Sequence, residues 1–195
     1  MERPEADLKP EIIDRNTAYG GYLKVERLVI GFPDGGMVVR EIESHGDSVA
    51  VLPYDVKRRC ALTVSQLRAP ALAAAGKDSV IEACAGMIED ETERATVLRE
   101  ADEELGVRLN SVEFVARVWS SPGVSTERTS LFLAPYRAAD RVGKGGGVKA
   151  EKENITVIET PLADLAAEAD KGEIADAKLL TLVLALRLRH AELFV

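Results

Sequence analysis

The spacing of apolar residues changes along the chain, and the changes mark out its elements. From Tyr22 to Ile30 and again from Met37 to Glu43, apolar and polar residues alternate, with the turn-forming run Phe32-Pro33-Asp34-Gly35-Gly36 between them. This predicts a β-hairpin. Ser48–Pro53 and Lys57–Leu67 predict a second strand pair around Tyr54-Asp55, and Ser79–Cys84 a short strand. Further strands are expected at Val112–Trp119, Arg128–Tyr136 and Ile155–Glu159, and helices at Leu162–Lys171 and Asp176–Leu193. Residues 1–16 are polar and contain proline, which predicts a frayed or extended arm. Arg68–Lys77 reads as an Ala-rich connection, and Arg141–Asn154, with Gly145-Gly146-Gly147, as a mobile loop. No internal repeat is present.

Between these strands lies a helical period. A helix is expected to start near Glu89 to Glu91, where acids suit the positive end of the dipole. It should stop at Gly106, a natural C′ glycine. Leu98, Ala101 and Leu105 form its core-facing stripe, so its acids are expected to turn away from the core. Mixed strands, this helix and two more at the end predict an α+β fold in which a mixed sheet is sandwiched between helices. The expected organisation is an N-terminal arm and hairpin over residues 1–43, serving as a dimerisation element, and a main domain over 44–195.

Composition narrows the function classes. Hydrophobic residues make up 46% and charged residues 30%, as in a soluble globular protein. The net charge of −8 and the lack of a basic stripe argue against a nucleic-acid partner. No apolar run reaches membrane-spanning length, and MERPEADLKPEIID lacks a basic-then-apolar signal pattern, so no membrane partner and a cytoplasmic location are expected. Cys60 and Cys84 lie in apolar stretches and read as reduced core residues. His45 and His190 stand far from the acidic helix and give no support to a His nucleophile or a zinc site.

The chemistry concentrates in GMIEDETERATVLREADEELGV, from Gly86 to Val107. Glu100, Glu103 and Glu104 are spaced i, i+3, i+4 and share one helix face. They sit in the last two turns, at the negative end of the dipole, where each like-charge or dipole contact costs roughly 0.3–0.5 kcal/mol. A helix that only needed solubility would carry Lys or Arg there; a bound divalent cation would reverse the repulsion.

The segment resembles the signature box of the Nudix hydrolases: Gly, five residues, Glu, seven residues, then Arg-Glu-apolar-any-Glu-Glu-any-Gly-apolar. The match runs from Glu91 to Val107. The spacing from Gly86 to Glu91 is one residue short, and Thr92 stands where strict spacing would put the first Glu. In the family that Glu pairs with the box arginine, here Arg99. The resemblance implies an α/β/α sandwich.

Other segments resemble the nucleoside diphosphate sugar branch of the family, with GDP-mannose and ADP-ribose pyrophosphatases as the nearest groups. Ser79–Gly86 is similar to its E-x-x-A-G entry, and Ser121-Pro122-Gly123 with Thr126-Glu127 to its S-P-G loop. Gly145–Val148 with Glu151 and Glu153 is similar to its acidic Gly-rich loop, Gly172–Lys178 to its G-E-I-x-D-x-K turn, and Arg40-Glu41 to the R-E of its swapped dimer arm. The resemblance implies Mg²⁺, with Mn²⁺ as an alternative, held by Glu100, Glu104, the Ala85 carbonyl and Glu153. Glu103 is then a further ligand or an outer partner, and Glu153 or Glu151 a general base. Arg68 is the expected phosphate clamp, Glu127 and Lys178 contact substrate, and Arg40 contributes from the second subunit of a homodimer. The expected reaction cleaves the pyrophosphate of a nucleoside diphosphate sugar, GDP-mannose being favoured and ADP-ribose the alternative. A domain that senses nucleotides without turnover is the other class, and the intact run of acids argues against it.

Overall fold

The computed structural model describes residues 9–147 and 154–195. Among the described residues, ten strands and four helices of at least seven residues follow in chain order: β1 (Glu11–Gly20), β2 (Lys24–Gly31), β3 (Met37–Ser44), β4 (Ser48–Asp55), β5 (Cys60–Gln66), α1 (Ala69–Ala75), β6 (Val80–Glu82), β7 (Cys84–Met87), α2 (Glu93–Leu105), β8 (Glu113–Trp119), β9 (Arg128–Pro135), β10 (Thr156–Pro161), α3 (Leu162–Lys171) and α4 (Ala177–Arg189). They form two units. One is the chain up to Asp47 together with Trp119–Arg128; the other is Ser48–Val118 with Thr129–Val195.

The larger unit holds a mixed sheet in the order β10-β5-β4-β9-β8, with β6 beside β5 and β7 beside β4. The β4–β9 pair is parallel, whereas β4–β5, β5–β10, β4–β7 and β5–β6 are antiparallel. All eight residues of β4 are buried, because this central strand has covered faces on both sides. Its side chains alternate between two cores. Val49 and Val51 join Val97, Ala101 and Leu105 of α2. Ala50 and Leu52 join Leu162 and Leu165 of α3 and Leu179, Leu182 and Leu186 of α4. The sheet is therefore sandwiched between α2 and the α3–α4 pair, as the sequence predicts. Cys60 and Cys84 are buried and form no disulfide.

In the smaller unit β1, β2 and β3 form an antiparallel sheet in that order. The hairpin is extended by a third strand, β1, where the polar residues 1–16 predict a frayed or extended arm. Every residue of β1 is exposed, so no apolar alternation announces it; its backbone pairing with β2 makes it a strand. The Trp119–Arg128 segment joins this unit by backbone bonds. Glu43 N–H donates to the Val124 carbonyl (2.8 Å), and Thr126 N–H donates to that of Glu43 (3.0 Å).

Candidate active site

Helix α2 starts two to four residues later than the acid pattern suggested, because Thr92 is its N-cap and accepts from Ala95 N–H (3.3 Å). Gly106, at φ 63°, ends the helix with its own N–H on Asp102 O and that of Val107 on Ala101 O. Thr92 caps, and the preceding Glu91 reaches Arg99 Nε at 3.3 Å. The same guanidinium holds Glu100 (2.9 Å) and Glu103 (2.8 Å). Burial disfavours the Arg99 charge, but the carboxylates of Glu100, Glu103 and Glu91 outweigh it and raise its pKa.

The acid face departs from expectation. Glu104 is not turned away from the core: it is 3% exposed and shares the buried face with Val97, Ala101 and Leu105, while Leu98 is only partly buried. The small residues of β7 make this possible. Glu104 Oε2 accepts from Ala85 N–H at 3.2 Å. The Glu100 carboxylate lies where a Cβ on Gly86 would stand, so any side chain there would push Glu100 aside. Glu100 and Glu104, one turn apart, thus both lie against Ala85-Gly86. Glu103, further round the helix, faces Arg99.

The described part of the Gly-rich segment is anchored, which corrects the expectation of a mobile loop there. Gly146 N–H donates to Glu104 O (2.9 Å), Gly147 N–H to Glu103 O (3.2 Å), and Val142 and Gly143 N–H to Gly106 O. These amides satisfy carbonyls that the end of α2 would otherwise leave unpaired. Gly145 has φ +65°, and a Cβ there would strike the Glu104 carbonyl. Glu151 and Glu153 lie outside the described residues.

Beside β7, four more charges meet. Arg68 makes a forked pair with Glu82, Nε at 2.7 Å and the second guanidinium nitrogen at 3.0 Å. Lys178 Nζ lies 2.8 Å from Asp176 Oδ1 and 3.5 Å from Glu82 Oε2. The hydrogen bond to Glu82 raises the Arg68 pKa against the cost of burial, with further help from the charges of Glu82, Glu104 and Asp176. The sequence points to Arg68 and Lys178 and assigns no role to Glu82 or Asp176. The available signal was an acid inside the apolar run Val80–Cys84, since a buried carboxylate needs a cation.

The remaining expected site residues, Arg40 and Glu127, belong to the smaller unit. Arg40 is exposed on β3 and donates to the Val39 carbonyl (2.8 Å). Glu127 accepts from Ser120 Oγ (2.7 Å), and His45 stands between Glu43 (2.8 Å) and Glu127 (3.9 Å). His45 had no sequence signal, because it meets Glu127 only through the fold of this unit.

The domain model described as "NUDIX domain" matches residues 44–190. The chain belongs to the Nudix hydrolase family. GDP-mannose pyrophosphatase of Cronobacter sakazakii is 37% identical over 151 residues, covering 77% of this chain and 78% of that protein. The GDP-mannose pyrophosphatase of Salmonella arizonae is 32% identical over 152 residues, with the same shares covered. Among solved structures, one described as an ADP compounds hydrolase superposes with a TM-score of 0.76 at 17% identity, covering 94% of this chain and 95% of that one, and shares its fold.

Nudix hydrolases generally use a divalent metal. Among the described residues, no group of three or more His, Cys, Asp or Glu side chains gathers as a metal centre. Two Nudix-helix carboxylates, Glu100 and Glu104, nevertheless lie against one short strand segment, and Ala85 in that strand adds a backbone carbonyl. Oxygen-only donors of this kind fit a hard divalent cation and exclude a soft one. Among the described residues no helix is long and apolar enough to cross a membrane.

Proposed function

We propose that this Nudix hydrolase cleaves the pyrophosphate linkage of a nucleoside diphosphate sugar, with GDP-mannose the favoured substrate, releasing a nucleoside monophosphate and a sugar 1-phosphate. The observation that carries the reading is the pair Glu100 and Glu104, turned inward against Ala85-Gly86. The relatives named GDP-mannose pyrophosphatase, matched over 77% of the chain, support the substrate.

The diphosphate carries about two negative charges and repels an incoming water, so its charge must be offset and the water held in line. Glu100, Glu104, the Ala85 carbonyl and Glu153 would hold Mg²⁺ or Mn²⁺. The metal would supply Lewis acidity at the phosphate oxygens and lower the pKa of a bound water. Arg99 holds the carboxylates of Glu100 and Glu103 in place. Arg68 and Lys178 bind phosphate oxygens through N–H donors, and Glu127 contacts the remainder of the substrate. Glu153, or Glu151, takes the proton of the attacking water. A homodimer built through the N-terminal arm, with Arg40 lent by the second subunit, and a cytoplasmic location complete the proposal. Residues 1–43 would be the arm and 44–195 the catalytic domain.

The test is phosphate release, after coupling to an added phosphatase, from GDP-mannose, ADP-ribose, UDP-glucose and a nucleoside triphosphate, with Mg²⁺ and with EDTA. Metal-dependent turnover led by GDP-mannose is expected. Leadership by ADP-ribose would move the substrate within the class. A folded, metal-bound protein that turns over none of the four would sink the nucleotide-sugar assignment.

A further inference from the structure

We propose that Glu82 and Asp176 are positioning residues that fix the two cations of the phosphate clamp, acting through Arg68 and Lys178. The inference rests on the reading above that those cations meet the substrate. The four groups are layered. The carboxylates lie beneath, with side chains 5% and 6% exposed, and the cations lie over them at 45% for Arg68 and 26% for Lys178.

Both Glu82 oxygens are engaged, Oε1 by Arg68 Nε and Oε2 by a second nitrogen of the same guanidinium and by Lys178 Nζ. A forked pair of this kind fixes the plane of the guanidinium. It leaves the N–H donors on the side away from the fork for another planar or tetrahedral oxyanion. Asp176 does three jobs. As N-cap of α4 it accepts from the Lys178 and Leu179 amides, and its Oδ1 also holds Lys178 Nζ. Its Oδ2 accepts from Ala83 N–H at 3.1 Å. Two residues further on, in β7, the Ala85 amide is held by Glu104. Alternate amides of the segment from Ala83, between β6 and β7, to Ala85 therefore tie the clamp to the carboxylates of α2.

Stability alone does not account for this arrangement. Burying two carboxylates carries a desolvation cost that their cations offset only in part, so buried ion pairs are weak contributors to stability and strong determinants of geometry. A cap needs only the Asp176 side chain and the helix amides. The added bonds to Lys178 Nζ and Ala83, and the fork at Glu82, hold the cation heads in one pose before substrate arrives.

The experiment is a double-mutant cycle of Glu82→Gln and Arg68→Ala with GDP-mannose and Mg²⁺, reading kcat and KM separately, with melting curves to confirm folding. The Arg68→Ala change alone should raise KM about 10- to 100-fold, as expected for a lost charge-assisted bond. Glu82→Gln should raise KM several-fold with kcat nearly unchanged, and should add far less in the Arg68→Ala background, where only its weaker contact with Lys178 remains to be lost. If Glu82→Gln multiplies the Arg68→Ala effect in full, lowers kcat in place of raising KM, or leaves KM unaltered, the positioning role is overturned. An Arg68→Ala variant with wild-type KM would instead remove the clamp reading itself, and the inference with it. Should Glu82→Gln fail to fold, the cycle of Asp176→Asn with Lys178→Met carries the same outcomes.

Discussion

Two arginines in the larger unit gather acids around themselves, and they do so to opposite effect. Arg58 meets Asp55 (2.8 Å), both oxygens of Glu159 (2.8 Å each) and the Tyr136 hydroxyl (2.9 Å), and its guanidinium lies over the Tyr136 ring. Asp55 also accepts from the Lys57 and Arg58 amides, and Tyr136 donates to Glu159. The knot closes on itself: its acceptors are met several times over, and it locks the turn between β4 and β5. Arg99 instead serves three carboxylates, Glu91, Glu100 and Glu103, with Glu104 buried on the next turn and no basic residue in the last turn of α2. That knot keeps an excess of negative charge at the negative end of a helix dipole. A closed knot stabilises a turn; an overcharged one is suited to receive a cation.

The largest way to sharpen the contrast is Glu104→Gln. The shape is kept and a charge is lost from the overcharged side, so turnover should fall by about 10²–10³-fold or more, while circular dichroism and melting stay near wild type. Turnover within a few-fold of wild type would mean that the buried acid has no part in the reaction. Next is Gly145→Ala. The left-handed backbone and the clash with the Glu104 carbonyl should cost about 1–3 kcal/mol and lower kcat through displaced carbonyls of Glu103 and Glu104. A variant with unchanged melting and kcat would show that the anchor is idle.

On the closed side, Arg58→Met should cost about 1–3 kcal/mol and leave kcat unchanged. A matching loss of activity would erase the distinction between the knots. The pH dependence follows from Asp55. Burial would raise its pKa, but the bonds from Arg58 and Lys57 hold it below the ordinary carboxylate value. On acidification the unfolded state takes the proton first, so this stabilisation is present above the ordinary Asp pKa of about 4 and is lost as pH falls through the depressed folded value. Acid unfolding of Arg58→Met should therefore show a weaker pH dependence than wild type; an identical profile would count against the assignment. The smallest effect is Thr92→Ala, the lost N-cap, at about 1 kcal/mol, or about 2–4 °C in Tm.

Much of the larger unit was legible in the sequence because its signals are local. The Leu162–Lys171 helix, the Gly106 stop and the run of acids needed only short-range pattern. The features that escaped depend on distant partners. Strand β1 is exposed throughout and exists by pairing with β2. Helix α1, read as an Ala-rich connection, has no buried residue to mark it. The inward turn of Glu104 needed Ala85 and Gly86, which lie across the chain from it. Arg68 and Lys178 were visible as charges, but the carboxylates beneath them became meaningful only once β6 and the start of α4 were brought together.

The most direct test of the central claim is Mn²⁺ binding, followed by loss of the free-ion paramagnetic resonance signal, on wild type, Glu104→Gln and Arg58→Met. The account predicts binding by wild type, affinity at least about tenfold weaker in Glu104→Gln, and wild-type affinity in Arg58→Met. Equal binding by wild type and Glu104→Gln would contradict it.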